Sequence, residues 1–396
     1  MARRGSNLNP RTLAKIKDST INRCEMIAIS SELMVDFAAV STEQLHLLYD
    51  VNAINFPIYL QIDDILIEYI RPEEFSRSLL QNILSAMTKP GDNVGIFVQE
   101  AHKNSLLRLQ SSVRKKKIHE LFVNNPSMDK RVMEVFDQIS NASQMVIAGG
   151  LSKDVVQKIK ISTASAIDQL LDRPKALGTL SKMIEHDHTL YDHSAMVAML
   201  SATIASDMLS QSFSRADYSL ISLCGLYHDV GKTCVPSHIL NKAGKFEPEE
   251  YEIMKTHAEH GEKYLCTLRD EDTDIHPLII RVAGEHHERF DGSGYPRGKI
   301  GRQEEREDGI HLYTRIVSIA DVYSALLMER VYKPAFDPSK SLEIMIKEAK
   351  NYDPKIFKEF VRKVVASINE TTKDSQNGRI FTKEKGQPPV LHKRTS

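Results

Sequence analysis

The spacing of apolar residues changes character twice along the chain. Up to about residue 105 the apolar runs are short and rich in β-branched and aromatic residues. INFPIYLQI, DILIEYIRP and VGIFVQ predict strands, the first two joined by an acidic turn at Asp63–Asp64. EEFSRSLLQNILSAM, ahead of the third, carries apolar residues three and four apart and predicts an amphipathic helix. Residues 1–105 therefore read as a small α/β module. From 106 to 177 the pattern is helical and highly charged, as in KIHELFVNN and DVVQKIKISTASAIDQLL, without sustained heptads. This predicts a helical linker. From 178 to 372 nearly everything reads as helix, broken by turn chemistry at PSHILNKAGKFEP and DGSGYPRG. The polar, proline-containing end, 373–396, predicts a disordered tail. The expected class is α+β overall, with an all-α C-terminal domain.

Composition narrows the partners. The chain has 396 residues, enough for two domains, and its 52 Lys and Arg balance 53 Asp and Glu. No global field draws it to a nucleic-acid polymer, and short basic clusters such as Arg114 to Lys117 read as solvated faces. No apolar run reaches about 18 residues, and the basic N-terminus lacks a signal-peptide core. A cytoplasmic protein with no membrane span is expected. Cys24, Cys224, Cys234 and Cys266 form no CxxC pair, and Cys224 and Cys234 read as buried small hydrophobes.

The chemistry lies in the apolar helices. ADYSLISLCGLYHDVGK places His228 and Asp229 at the end of a buried helix, and RIVSIADVYSALLM carries Asp321 in the middle of another. A buried carboxylate costs several kcal/mol unless it is paired, protonated or bound to a metal. His193 opens HSAMVAMLSATIASDML, and His257 lies in EEYEIMKTHAEHGEKYL. His286 and His287 are adjacent before the glycine-studded loop. Successive helical residues diverge by roughly 100°, so such neighbours serve one purpose only around a large object. Imidazole and carboxylate without thiolate suit iron, manganese, nickel or zinc, and seven ligands exceed one tetrahedral ion. The pattern points to two divalent ions bridged by a carboxylate.

HDVGK at 228–232, LNKAGKFEPEEYEIMKTHAEHG, HHERFDGSGYPRG, IVSIADVYSAL and RVYK at 330–333 occur in an order and spacing that resembles the HD-GYP family of cyclic di-GMP phosphodiesterases, a subgroup of the HD metal-dependent phosphohydrolases. The resemblance covers about Met183 to Phe336 and leaves the first 175 residues outside it. It implies metal ligation by His193, His228, Asp229, His257, His286, His287 and Asp321, with Asp229 and Lys232 in the catalytic machinery. It further implies substrate contacts at Asp187, Lys232, Gly294, Tyr295, Arg330 and Lys333. The implied cofactor is a pair of divalent ions, iron first. The implied reaction is hydrolysis of cyclic di-GMP to pGpG and onward to GMP by a two-metal-activated hydroxide.

Three departures stand out. Thr189 occupies the place of a glutamate that supports a third metal in some members, so two metals rather than three are expected unless Glu185, one turn back, substitutes for it. KIGRQEEREDGIHLYTR is longer and more charged than the family pattern, and Ser324 replaces a second acid after Asp321. The alternative reading is a weakly active or inactive HD-GYP fold that binds a cyclic dinucleotide as an adaptor. A di-iron oxygenase is a third reading, which leaves the GYP loop and RVYK without purpose. A homodimer, and signalling partners docking on the N-terminal module or the GYP loop, complete the expectations.

Overall fold

Strand alternation builds the N-terminal module around a short antiparallel sheet. The computed structural model describes residues 26–28, 37–40, 45, 47–62, 65–87, 94–125, 128–147, 151–173, 176–186, 192–209, 212–240, 242, 245–302, 306–327 and 336–378. The strands are β1 (Met26–Ala28), β2 (Phe37–Ala39), β3 (Ile58–Ile62), β4 (Ile65–Ile70) and β5 (Val94–Gln99). Their order is β1-β4-β3-β5-β2, with every neighbour antiparallel. One face places Ile58, Leu60, Ile67, Tyr69, Ile96 and Val98 against Leu80 and Ile83 of α1 (Arg77–Met87). The other face carries Tyr59, Leu66 and Phe97, with Phe37 packed on them. β1 and β2 were not foreseen, because three residues are too few for alternation to register.

Helix α2 (Lys103–Asn124) joins this sheet to the helical domain by burying different residues at its two ends. Leu106 lies in the sheet core, while Ile118 and Leu121 lie in the helical core. Between them the Arg114 guanidinium, 2% exposed, donates from Nε to Asp137 Oδ1 at 2.9 Å and from Nη2 to Asn141 Oδ1 at 2.7 Å. Those acceptors sit on α3 (Lys130–Ile147). The expectation of a linker over 106–177 is corrected here. α3 and α4 (Lys153–Leu171) contribute Val132, Met133, Phe136, Ile139, Ile159 and Ile167 to the same core as the helices that follow. Their charged residues occupy the outer faces, which is why the pattern resembled a solvated connector.

The remaining helices are α5 (Ala176–His186), α6 (His193–Leu209), α7 (Arg215–Tyr227), α8 (Ser237–Leu240), α9 (Pro248–Lys255), α10 (His257–Asp270), α11 (Pro277–Glu285), α12 (Leu312–Leu327), α13 (Pro338–Lys347) and α14 (Pro354–Gly378). α6 is central: Ala195, Met196, Val197, Ala198, Met199 and Leu200 are all buried, so it is apolar on every side. α7 starts with a capping box in which Ser214 N donates to Asp217 Oδ2 at 2.8 Å. Asp217 also accepts from Tyr313 Oη of α12 at 3.1 Å, which fixes α7 against that helix. α14 runs to Gly378, past the Lys373 boundary expected for a disordered tail, and 379–396 lie outside the described residues.

Cys224 is buried as expected, but Cys234 is exposed, because the turn of 3-10 helix at Val230–Cys234 points it outward. Among the described residues no helix is long and apolar enough to cross a membrane.

The base of α14 rests on one buried ion pair. Arg315 Nη1 of α12 donates to Asp353 Oδ2 at 2.6 Å, and Asp353 Oδ1 accepts from Lys355 N at 2.9 Å and Ile356 N at 3.2 Å. Asp353→Ala takes the carboxylate from the buried Arg315, which keeps the Arg302 carbonyl, and removes the helix cap. Its unfolding free energy should fall by about 3–5 kcal/mol, read by chemical denaturation, with Asp353→Asn losing less.

Candidate metal centre

Helix termini deliver most of the candidate donors. His228 and Asp229 follow directly from α7, His193 is the first residue of α6, His257 the first of α10, and His286 and His287 follow α11. Asp321 projects from the middle of α12. Two close approaches make this convergence feasible. A Cβ on Gly231 would lie 2.0 Å from His257 O, so the glycine of HDVGK lets α10 reach the end of α7. Asp192 Oδ1 caps α6 by accepting from Ala195 N at 2.9 Å, and it also accepts from Ser143 Oγ of α3 at 2.9 Å.

Six side chains named from the sequence come together around a seventh, the Asp229 carboxylate. Asp229 Oδ2 lies 3.2 Å from His228 Nε2 and 3.6 Å from His193 Nε2. Asp229 Oδ1 lies 3.4 Å from His257 Nε2 and 3.7 Å from His286 Nε2. Asp321 Oδ1 joins the first group, 3.1 Å from His193 Nε2 and 3.8 Å from His228 Nε2. His287 joins the second, its Nε2 3.1 Å from that of His257. Each oxygen of Asp229 thus faces its own cluster, His193, His228 and Asp321 on one side and His257, His286 and His287 on the other.

The imidazoles are oriented by their own helix ends. His228, His257 and His286 donate Nδ1–H to the carbonyls of Gly225 at 2.7 Å, Met254 at 2.6 Å and Ala283 at 2.9 Å. A carbonyl partner at Nδ1 assigns the proton there and turns the Nε2 lone pair inward. Yet His257 Nε2 and His286 Nε2 stand 3.2 Å apart, and His228 Nε2 is buried without a hydrogen bond, its nearest carboxylate lying outside bonding geometry. Facing lone pairs repel unless a cation or proton lies between them. The donor set therefore fits divalent metal, and two groups of three or more donors meet within 4.8 Å.

Electrostatics agree with that fit. Burial pushes His257 down to about 4, against the pull of Asp229, and holds His287 well below and His193 below the usual imidazole value. Burial also disfavours charge on Asp229 and Asp321, but His228 and Lys232 for the first, and His193 and His228 for the second, keep both carboxyls well below their usual range. His228 is raised: burial lowers it, and the Asp229 and Asp321 charges outweigh burial. Charged carboxylates beside largely neutral imidazoles are the protonation state that metal binding requires.

The surrounding contacts correct one expectation and add residues the sequence did not reveal. Ser324 Oγ lies 3.1 Å from His193 Nδ1, so the serine itself supplies the supporting contact that the missing acid put in doubt. Tyr295, expected to face substrate, stacks on His287 with ring centroids 4.7 Å apart. A Cβ on Gly294 would lie 2.3 Å from Arg289 N, so this glycine serves tight packing of the loop on its own backbone. Glu288, unforeseen and 1% exposed, accepts from Arg297 N at 2.7 Å and Lys299 N at 2.8 Å and pins the GYP loop. The sequence carries no signal for Glu288, because its immediate neighbours in GEHHERFDG are polar and its burial is set by tertiary contacts. The charged segment after the loop folds back, Gly309 O accepting from Arg281 Nη2 at 2.7 Å and Arg302 O from Arg315 Nη1 at 3.0 Å. Asp187, Thr189, Arg330 and Lys333 lie outside the described residues, as does the side chain of Glu185.

Two outcomes follow from this geometry. Adding Mn²⁺ or Fe²⁺ to chelator-treated protein should raise its melting temperature by mass action and displace the proton that the raised His228 holds near neutral pH, with affinity falling steeply only toward about pH 4, where His257 is protonated. Calorimetry in two buffers of different ionisation enthalpy reads the protons. Gly231→Ala forces α10 away from α7 and should lose both the metal-induced stabilisation and more than about 3 kcal/mol of stability, seen by thermal and chemical melts.

Residues 175–356 match the family model described as HD domain. The chain is 32% identical over 214 residues to a cyclic di-GMP phosphodiesterase of Pseudomonas aeruginosa, covering 54% of this chain and 47% of that protein. It is 39% identical over 153 residues to a 3'3'-cGAMP-specific phosphodiesterase of Vibrio cholerae, covering 39% and 30%. The chain thus spans about half or less of the length of these curated relatives. A solved HDG"Y"P protein from Bdellovibrio bacteriovorus shares the fold, with a TM-score of 0.50 at 17% identity over 84% of this chain and 100% of that one. Residues 175–356 are thus similar to HD domains, and the relatives that the chain resembles are named as cyclic di-GMP or 3'3'-cGAMP phosphodiesterases.

Proposed function

We propose that the chain is a metal-dependent phosphodiesterase that opens a cyclic dinucleotide, cyclic di-GMP first, to linear pGpG and then to GMP. The observation that carries this reading is the division of Asp229 between two donor clusters, one oxygen to each. Two divalent ions, iron foremost and manganese, nickel or zinc compatible with the same donors, would be held by His193, His228 and Asp321 on one side and His257, His286 and His287 on the other. When bound they would supply an activated water and Lewis-acid neutralisation of the phosphodiester.

The chain's own residues do the rest. Asp229 holds the two clusters in register. Lys232 Nζ, 2.5 Å from Asp229 Oδ2, keeps a third of its side chain exposed and so carries positive charge to the rim where a phosphate oxygen arrives. Ser324, Tyr295 and the helix-end carbonyls hold the imidazoles in orientation, which limits reorganisation during the reaction. Similarity to proteins named for cyclic di-GMP and for 3'3'-cGAMP supports the substrate class and makes both dinucleotides substrates to test.

The test is hydrolysis by anaerobically purified full chain with metal quantified per chain, each dinucleotide supplied and the products resolved by chromatography. Linear product is expected, with activity lost in Asp229→Ala and kcat lowered about 10²- to 10³-fold in Lys232→Ala. Cyclic di-GMP that binds and survives intact with two metals present would favour the adaptor reading instead. Faster loss of cyclic GMP-AMP would change the preferred substrate and leave the chemistry standing.

A further inference from the structure

Beyond the histidine cluster, Tyr295 forms the next layer outward. Its ring stacks on His287, and the charges of Asp229 and Asp321 reach its hydroxyl. Lys255, at the end of α9, comes after it. Its Nζ lies 5.5 Å from the centroid of the Tyr295 ring and 5.4 Å from that of Tyr251. An ammonium set against two aromatic faces is held by their quadrupoles while its N–H groups keep their capacity to donate. Lys255 pairs with Glu252 at 2.7 Å, but that carboxylate is 67% exposed, and a solvated surface pair is weak enough for a phosphate to displace. Tyr251 lies four residues before Lys255, on the same face of α9, and is 48% exposed. Tyr251 thus holds an aromatic face half in water beside that cation, three contacts out from His287 through Lys255 and Tyr295.

We propose that Lys255 and Tyr251 form a second substrate subsite at the mouth of the centre. Lys255 receives the phosphate that is not being cleaved, and Tyr251 offers a stacking face to one purine. The inference rests on the phosphodiesterase reading and deepens it. A cyclic dinucleotide has two phosphates and two bases on one closed ring. When one phosphate is drawn to Lys232 and the metal ligands, the other is carried outward with its bases. Lys255 and Tyr251 supply a cation and a π-face on that outward side.

The test compares two substrates on the metal-loaded full chain: cyclic di-GMP, and bis(p-nitrophenyl) phosphate, which has one phosphate and no purine. Lys255→Ala should raise KM for cyclic di-GMP about tenfold relative to KM for the small diester, and Lys255→Arg should recover most of that ratio. Tyr251→Ala should raise the same ratio several-fold, while Tyr251→Phe, which keeps the ring, should match the parent. A ratio unchanged in both alanine variants, with cyclic di-GMP still hydrolysed by the parent, overturns the subsite alone. A parent that cleaves the small diester and neither cyclic dinucleotide overturns the proposed function and the subsite with it.

Discussion

A carboxylate buried among imidazoles is the constraint on which the rest of the molecule depends. Asp229 is surrounded by His193, His228, His257 and His286 and touches Lys232, and water does not reach it freely enough to solvate its charge. In a low-dielectric interior such a group persists only when each oxygen has a positive partner, and its two oxygens face separate donor sets. Everything that positions those donors is therefore part of the stability of the core as well as of the centre.

The scaffold meets this demand with helix ends. A helix terminus leaves carbonyls without intrahelical partners, and those of Gly225, Met254 and Ala283 are used to orient His228, His257 and His286. The same device satisfies the backbone and fixes the tautomer, so folding and preparation for metal coincide. The loop after His287 is held just as firmly, through Glu288 on two backbone amides and through the stacking of Tyr295 on His287. A loop fixed in this way is preorganised, which matters more for catalysis than contact area does.

The N-terminal sheet is tied to this arrangement by continuous structure. α2 spans both cores, its Arg114 is locked to Asp137 and Asn141 on α3, and Ser143 further along α3 donates to Asp192, the cap residue immediately before His193. What had the composition of a charged connector is a helix pair built into the domain that carries the centre.

The sequence by itself determined the candidate donors and the three longer strands. His228, Asp229 and Asp321 were legible because a polar residue inside an apolar helix is costly wherever the helix goes, and β3, β4 and β5 because alternation is a local property. Their relative placement was decided by tertiary structure. That Asp229 splits its oxygens, that Ser324 supports His193 from 131 positions away, and that Tyr295 turns to His287 depend on contacts between distant segments. The same holds for α3 and α4, whose interior faces were disguised by charge on their exteriors. Local burial has a signature in the chain; which buried surface meets which does not, because close packing settles that only when all the helices are present.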